Sequence, residues 1–223
     1  MKKIIIFGTG GHAKVIFSEI VQLKNFKVLG FSDSISKKGK IIEIFKNKEY
    51  KNLGNLNHIK KYKNIYGIIG VGHNFLRKKI SREIESFLKR KIKWATIVSK
   101  NSILNGNVSV GEGTVIISNS VVNTGTKIGK HCLINTLSSL DHHNNFGNFS
   151  STGPGVITGG NVKIGELSHL SIGSTIKNNI TIKSNALIGG SSFVNKDCDK
   201  NSVYYGVPAK RIKSRAEKES YLQ

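Results

Sequence analysis

Two imidazoles stand side by side in Leu140-Asp141-His142-His143, and Gly160 follows His142 by eighteen residues. These residue types suit acyl transfer. A neutral imidazole can take the proton from an attacking amine or hydroxyl, a contribution of roughly 10²–10⁴ in rate. A glycine N–H, with no side chain to shield it, can hold a developing oxyanion, worth about 3 kcal/mol when well aimed. No covalent enzyme intermediate is needed. A second cluster lies near the start of the chain. Gly8-Thr9-Gly10-Gly11-His12-Ala13-Lys14 follows a short β-branched run and precedes an apolar helical pattern. Glycines there let the backbone approach a phosphate, and the helix N-terminus offers free N–H groups.

The first pair works only if residues eighteen apart come together, and the pattern says that they do. Taken every sixth residue from Val98 to Val194, the seventeen positions are fifteen apolar residues plus Thr152 and Thr158. A strict six matches neither the helical nor the strand period. It marks a solenoid of hexapeptide repeats around one apolar core. Three hexads make one triangular coil, so Gly160 is expected over His142. Small or β-branched residues such as Thr114, Ser120, Thr126 and Cys132 recur two positions before the apolar one. There they let the corners turn tightly, and Cys132 reads as structural.

Ahead of the solenoid the pattern is α/β. Lys2–Phe7 reads as a buried parallel strand. A helix then turns Val15, Ile16, Phe17, Ile20, Val21 and Leu23 to one face, and Phe26–Phe31 is a second strand ending at Asp33. Gly8, Gly10 and Ala13 satisfy the G-x-G-x-x-G/A form, with Asp33 placed for a ribose. About 95 residues suffice for one mononucleotide-binding unit, so a single nucleotide is favoured over NAD. Residues 36–64 read as irregular apart from a short helix over 55–62. Ile65–Val71 is a third strand. A helix from Asn74 to Arg90 is expected to carry Leu76, Ile80, Ile84, Phe87 and Leu88 inward and Arg77, Lys78, Lys79 and Arg82 outward. Ile92–Ala95 closes the sheet. The expected units are 1–96, a Rossmann-like nucleotide-binding domain; 97–208, the β-helix; and 209–223, a charged tail that is helical or frayed from Ile212.

Composition narrows the partners. The 223 residues hold 35 Lys and Arg against 13 Asp and Glu, a net of +22. Residues 1–96 hold 22 and 6 of these, a net of +16. The basic runs carry no nucleic-acid signature and no interleaved aromatics, so they read as solvated faces open to anionic small molecules or an anionic membrane surface. The first apolar run stops after four residues, which is too short for a signal peptide. No stretch is long enough to span a membrane. Two cysteines make no framework and fit a reducing cytoplasm.

Several stretches together resemble the sialic-acid and bacillosamine acetyltransferase family of bacterial sugar biosynthesis. They are Phe7-Gly8-x-Gly10-Gly11-His12-x-Lys14, Gly70-x-Gly72-x-Asn74-x-x-Arg77, Asn135-Thr136 leading to Asp141-His142, Gly159-Gly160-Asn161-Val162-Lys163-Ile164-Gly165, and Gly206-Val207-Pro208-Ala209-Lys210. The resemblance implies a left-handed parallel β-helix and a homotrimer, with acetyl-CoA in the groove between neighbouring solenoids and no metal. His142 matches the base, with His143 beside it, and Gly160 matches the backbone donor to the thioester oxygen. Ser151, Gly160, Gly190 and Lys210 fall on the acetyl-CoA side. Gly8, Gly10, Gly11, His12, Asp33, Asn74 and Arg77 fall on the nucleotide-sugar side. Two positions depart from the family. His143 stands where an acidic residue commonly follows the base, and Ser151 where relatives carry a second His near the acetyl group.

The expected reaction is acetyl transfer to the amino group of a nucleotide-linked 4-amino-4,6-dideoxy sugar in surface-glycan biosynthesis. The alternatives are O-acetylation of sialic or a related nonulosonic acid, and a solenoid that binds a nucleotide sugar without turnover. A zinc enzyme built on His131, His142, His143 and His169 is a further class, but their spacings do not reproduce a recognisable ligand set.

Overall fold

A computed structural model of the chain describes residues 1–89 and 92–221. The first unit is a four-stranded parallel sheet ordered β2-β1-β5-β6, from β1 (Lys2–Phe7), β2 (Phe26–Ser32), β5 (Tyr66–Ile69) and β6 (Lys93–Trp94). Helix α1 (Gly11–Ile20) buries Ala13, Ile16, Phe17 and Ile20, and leaves Val15 exposed, contrary to the helical-face expectation. Helix α3 (Asn74–Leu88) buries Ile84 and Leu88. Its Leu76 is exposed and its Arg77 is only 2% exposed, which reverses both expectations. The expected helix end at Arg90 lies outside the described residues.

Residues 36–64 are more regular than expected. β3 (Ile41–Phe45) and β4 (Lys48–Lys51) form an antiparallel hairpin, followed by the short α2 (Leu56–Ile59). The turn is Lys46-Asn47, both at positive φ. That is a two-residue hairpin turn without the glycine that usually announces one. Phe45 and Tyr50 from the hairpin pack on Phe17, with ring centroids 6.3 and 4.7 Å away.

The second unit is a parallel β-helix of about six turns. Its strands, β7 (Ile97–Val98) to β23 (Phe193–Val194), are two residues each. Register fixes the repeat: Val115 pairs with Leu133, Val121 with Ser139 and Lys127 with Asn145, each eighteen apart. The first face carries residues 97, 115, 133, 151, 169 and 187, the second 103 to 193, and the third 109 to 181. The inward residue of each strand fills one core with Ile116, Val122, Ile128, Ile134, Leu140 and Phe146. The small hydroxyl residues have a bonding role besides their size. Thr114, Ser120, Thr126 and Ser168 each donate to the carbonyl fifteen residues on, at Gly129, Asn135, Asp141 and Lys183, over 2.7–2.9 Å.

A second period of six runs through the corners. Residues 113, 119, 125, 131 and so on to 191 all have positive φ. Only Gly113, Gly125, Gly155 and Gly173 are glycine; Asn, His, Leu, Phe and Ser hold the rest. A left-handed residue turns each corner, at a cost of roughly 1–2 kcal/mol where it is bulky.

The tail is neither helical nor frayed up to its described end. β24 (Ser202–Gly206) continues the first face, and β25 (Ala209–Ser214) returns antiparallel on it. Gly206-Val207-Pro208-Ala209 is the connecting turn. Beyond it the chain folds back to the domain junction. There Tyr221 stacks between His73 and His169, at 5.1 and 4.1 Å, and its hydroxyl donates to the Gly72 carbonyl.

Candidate active site

His142 and His143 sit on the corner between the second and third faces. The loop is fixed from every side. The Asp141 carboxylate accepts the His142 backbone N–H at 2.8 Å and the Asn123 amide at 3.2 Å. The Asp141 carbonyl accepts from Thr126 and Asn144, both at 2.9 Å. His143 is one of the left-handed corner residues, at φ 56°. That conformation swings its ring back beside His142. The two Nδ1 atoms are 3.0 Å apart, with the rings near perpendicular at 78°. The His142 imidazole thus lies against His143, while the Asp141 carboxylate is taken by the His142 backbone and Asn123.

Eighteen residues on, Gly160 lies under the His142 ring. A Cβ built on Gly160 would meet Nε2 at 2.5 Å and Cε1 at 2.4 Å. The same relation recurs one corner position away, where a Cβ on Gly125 would strike the His143 ring at 2.7 Å. The stack is thus direct: imidazole on glycine. Among the described residues no acceptor takes the Gly160 N–H.

The other expected site residues are divided among four places. Gly8 and Asp33 line a cavity of about 530 Å³ at the carboxyl ends of β1, β2 and β5, with Phe7, Ser32, Asn55 and Val71. This is where open α/β sheets hold ligands. Gly8 needs its glycine, with φ 117° and the Gly70 carbonyl 3.0 Å from any Cβ. Gly10 and Gly11 face open space, so no packing demands them. They start α1 with no side chain capping it. The Asp33 carboxylate already accepts from Thr9 and from the Ile35 and Ser36 N–H groups.

Asn74 and Arg77, expected on the sugar side, are buried at the domain junction and line neither cavity described here. The third-to-first corner presents the carbonyls of His131, Phe149 and Leu167, and these two side chains clasp them. Arg77 donates to His131, Val71, Gly72 and Phe149 carbonyls over 2.7–3.1 Å, and to the Asn74 side chain at 2.7 Å. Asn74 donates to Leu167 and Ser168 carbonyls at 3.1 Å. On another side of the junction, Glu19 accepts from the Ser118 N–H and hydroxyl.

His12 and Ser151 open onto a separate cavity of about 360 Å³, shared with His169, Pro154, Ile172 and Tyr221. Ser151 is fully buried, 2.8 Å from Asn74 and 2.7 Å from His169 Nδ1. Burial, with Arg77 nearby, lowers His12 to about 4 and His169 to about 3, so both are neutral. Gly190 and Lys210 are exposed. Tyr221 and His169 were not expected here. A tyrosine in a charged tail gives no signal, and in the sequence His169 stands only among the imidazoles weighed for zinc. The four imidazoles weighed for zinc do not gather: His131 stacks on Phe149 at 5.0 Å, and His169 turns to Ser151.

A model of the PglD N-terminal domain family matches residues 3–84. The acetyltransferase domain of PglB from Neisseria gonorrhoeae FA1090, in complex with acetyl coenzyme A, is similar at 21% identity and TM-score 0.85, covering 95% of this chain and 99% of that one. PerB from Caulobacter crescentus, in complex with CoA and GDP-perosamine, is similar at 23% identity and TM-score 0.85, covering 96% and 98%. WeeI from Acinetobacter baumannii AYE is similar at 20% identity and TM-score 0.74, covering 95% and 100%. In keeping with the resemblance to bacillosamine-type sugar acetyltransferases, residues 3–84 match the PglD N-terminal domain family, and nearly the whole chain has the fold of the PglB acetyltransferase domain and of PerB.

Proposed function

We propose that the chain is an acetyl-CoA-dependent acyltransferase that acetylates the amino group of a nucleotide-linked 4-amino-4,6-dideoxy sugar. The observation that carries this reading is the His142 ring seated on Gly160 with its Nδ1 against His143. At 3.0 Å the two Nδ1 atoms are placed to share one proton. With that proton on His142, Nε2 keeps its lone pair and accepts the amine proton as attack begins. His143 holds the ring in that tautomer and spreads the charge that develops. Gly160 offers its N–H to the thioester oxygen. Acetyl-CoA supplies the thioester itself. The residues present fit it: Gly155 and Gly173 leave open space at the first-to-second corner beside the exposed Leu137 and Ile172, and Lys210, Arg211 and Lys213 are exposed cations on β25. The nucleotide enters the 530 Å³ cavity, its phosphates toward Gly10, Gly11 and the start of α1.

A homotrimer belongs to the same reading. Ile103, Ile157, Leu137 and Ile172 are each at least half exposed on the second face and its leading corner. An apolar stripe of that kind is what a neighbouring solenoid would cover.

Thiol release from acetyl-CoA, measured against nucleotide-linked 4-amino sugars and free nonulosonic acids, tests the acceptor. Turnover with the amino sugars alone is expected; turnover only with the acids would replace N- by O-acetylation. His142→Ala should lose about 10²–10⁴ in kcat. His143→Ala should lose less, with KM unchanged, and His143→Glu should recover the loss. A folded His142→Ala protein with full turnover would remove the mechanism.

A further inference from the structure

At the amino end of the sheet, opposite the nucleotide cavity, a groove of about 590 Å³ opens between α1, β2 and the hairpin. Its floor is Val21, Leu23, Val28, Phe26, Phe45 and Tyr50, and Met1, Lys24, Lys27 and Lys48 stand around it. Lys2 reaches to 5.2 Å from the Tyr66 ring and 6.0 Å from Phe26. Lys46 and Lys48 lie 5.6 and 4.9 Å from Phe45 and Tyr50. No acidic side chain lines the groove, and none of these five lysines is ion-paired among the described residues. On the same hairpin Ile41 and Ile44 are exposed, as is Met1 beside it.

We propose that this groove is a docking surface for an anionic lipid bilayer. Its chemistry is that of the membrane interface. The lysines reach headgroup phosphates, the half-buried Phe45 and Tyr50 rings sit at headgroup depth, and the exposed Met1, Ile41 and Ile44 meet the upper hydrocarbon. A nucleic acid would want exposed rings for stacking, whereas here aliphatic groups make up half of the floor. Docking by this end leaves the nucleotide cavity and the His142 corner free. On the proposed function, the surface would place the acceptor site beside a membrane, with no helix among the described residues long and apolar enough to cross one.

Co-sedimentation of the full chain with phosphatidylglycerol-rich vesicles, against pure phosphatidylcholine vesicles, is the test. Binding to the anionic vesicles, released by high salt, is expected. Lys24→Glu/Lys27→Glu/Lys48→Glu should weaken it by about 100-fold. A control of equal charge change on the exposed solenoid surface, Lys163→Glu/Lys177→Glu/Lys196→Glu, should keep most of the binding, with folding of both verified by circular dichroism. No binding, equal binding to neutral vesicles, or equal loss in the two variants would each overturn the proposal.

Discussion

At Gly160 the backbone has no need of glycine, because its φ is not in the left-handed region. The need comes from the His142 ring. Gly160→Ala is therefore a clean perturbation: the fold and the N–H both survive, and a methyl displaces the imidazole. Stability should change by less than about 1 kcal/mol, while kcat falls by roughly 10² or more. Calorimetry with single-turnover kinetics checks both. An active Gly160→Ala protein would move the weight from ring placement to the N–H. The eighteen-residue spacing of this pair was legible because it follows from counting. The His143 contact was not, because it depends on a left-handed corner that carries no glycine to mark it.

At the level of elements, α3 serves as a clasp on the solenoid. Sequence placed Arg77 on a basic outer face beside Lys78 and Lys79. Helical periodicity could not separate it from them, because its burial comes from a corner more than fifty residues away. Its planar fork meets carbonyls on several sides, which an ammonium cannot reproduce. Arg77→Lys should cost about 2–4 kcal/mol, since several buried carbonyls lose their donor. Urea unfolding measures it, and a loss below about 1 kcal/mol would contradict the clasp. The hairpin was missed for a related reason. Lys46-Asn47 makes the turn without glycine, so a run of lysines hid two strands.

For the whole molecule, the eighteen-residue coil and the α/β-then-solenoid order could be read directly, since both arise from periodic burial. The junction could not, being made of single contacts. It also holds neutral histidines whose titration bears on stability. His131 is lowered to about 4 and His169 to about 3, chiefly by burial, and both have an unperturbed value of 6.5. Below that value the unfolded chain takes up protons which the folded chain refuses. Stability is then complete above about pH 6.5 and declines as pH falls, by up to about 1.4 kcal/mol per pH unit for each residue. Urea midpoints should drop from pH 7.5 to pH 5, and His131→Asn, a residue these corners accept, should make the drop shallower. The corner period has one more consequence. A chain in which every sixth residue is alike could thread one hexad early or late and still satisfy its own pattern. Arg77 and Asn74 grip corner carbonyls that every coil offers, but Glu19 takes the hydroxyl of Ser118, where a slip of one hexad would bring Glu112 and its like charge, so the first unit acts as an index that tells the coils where to begin.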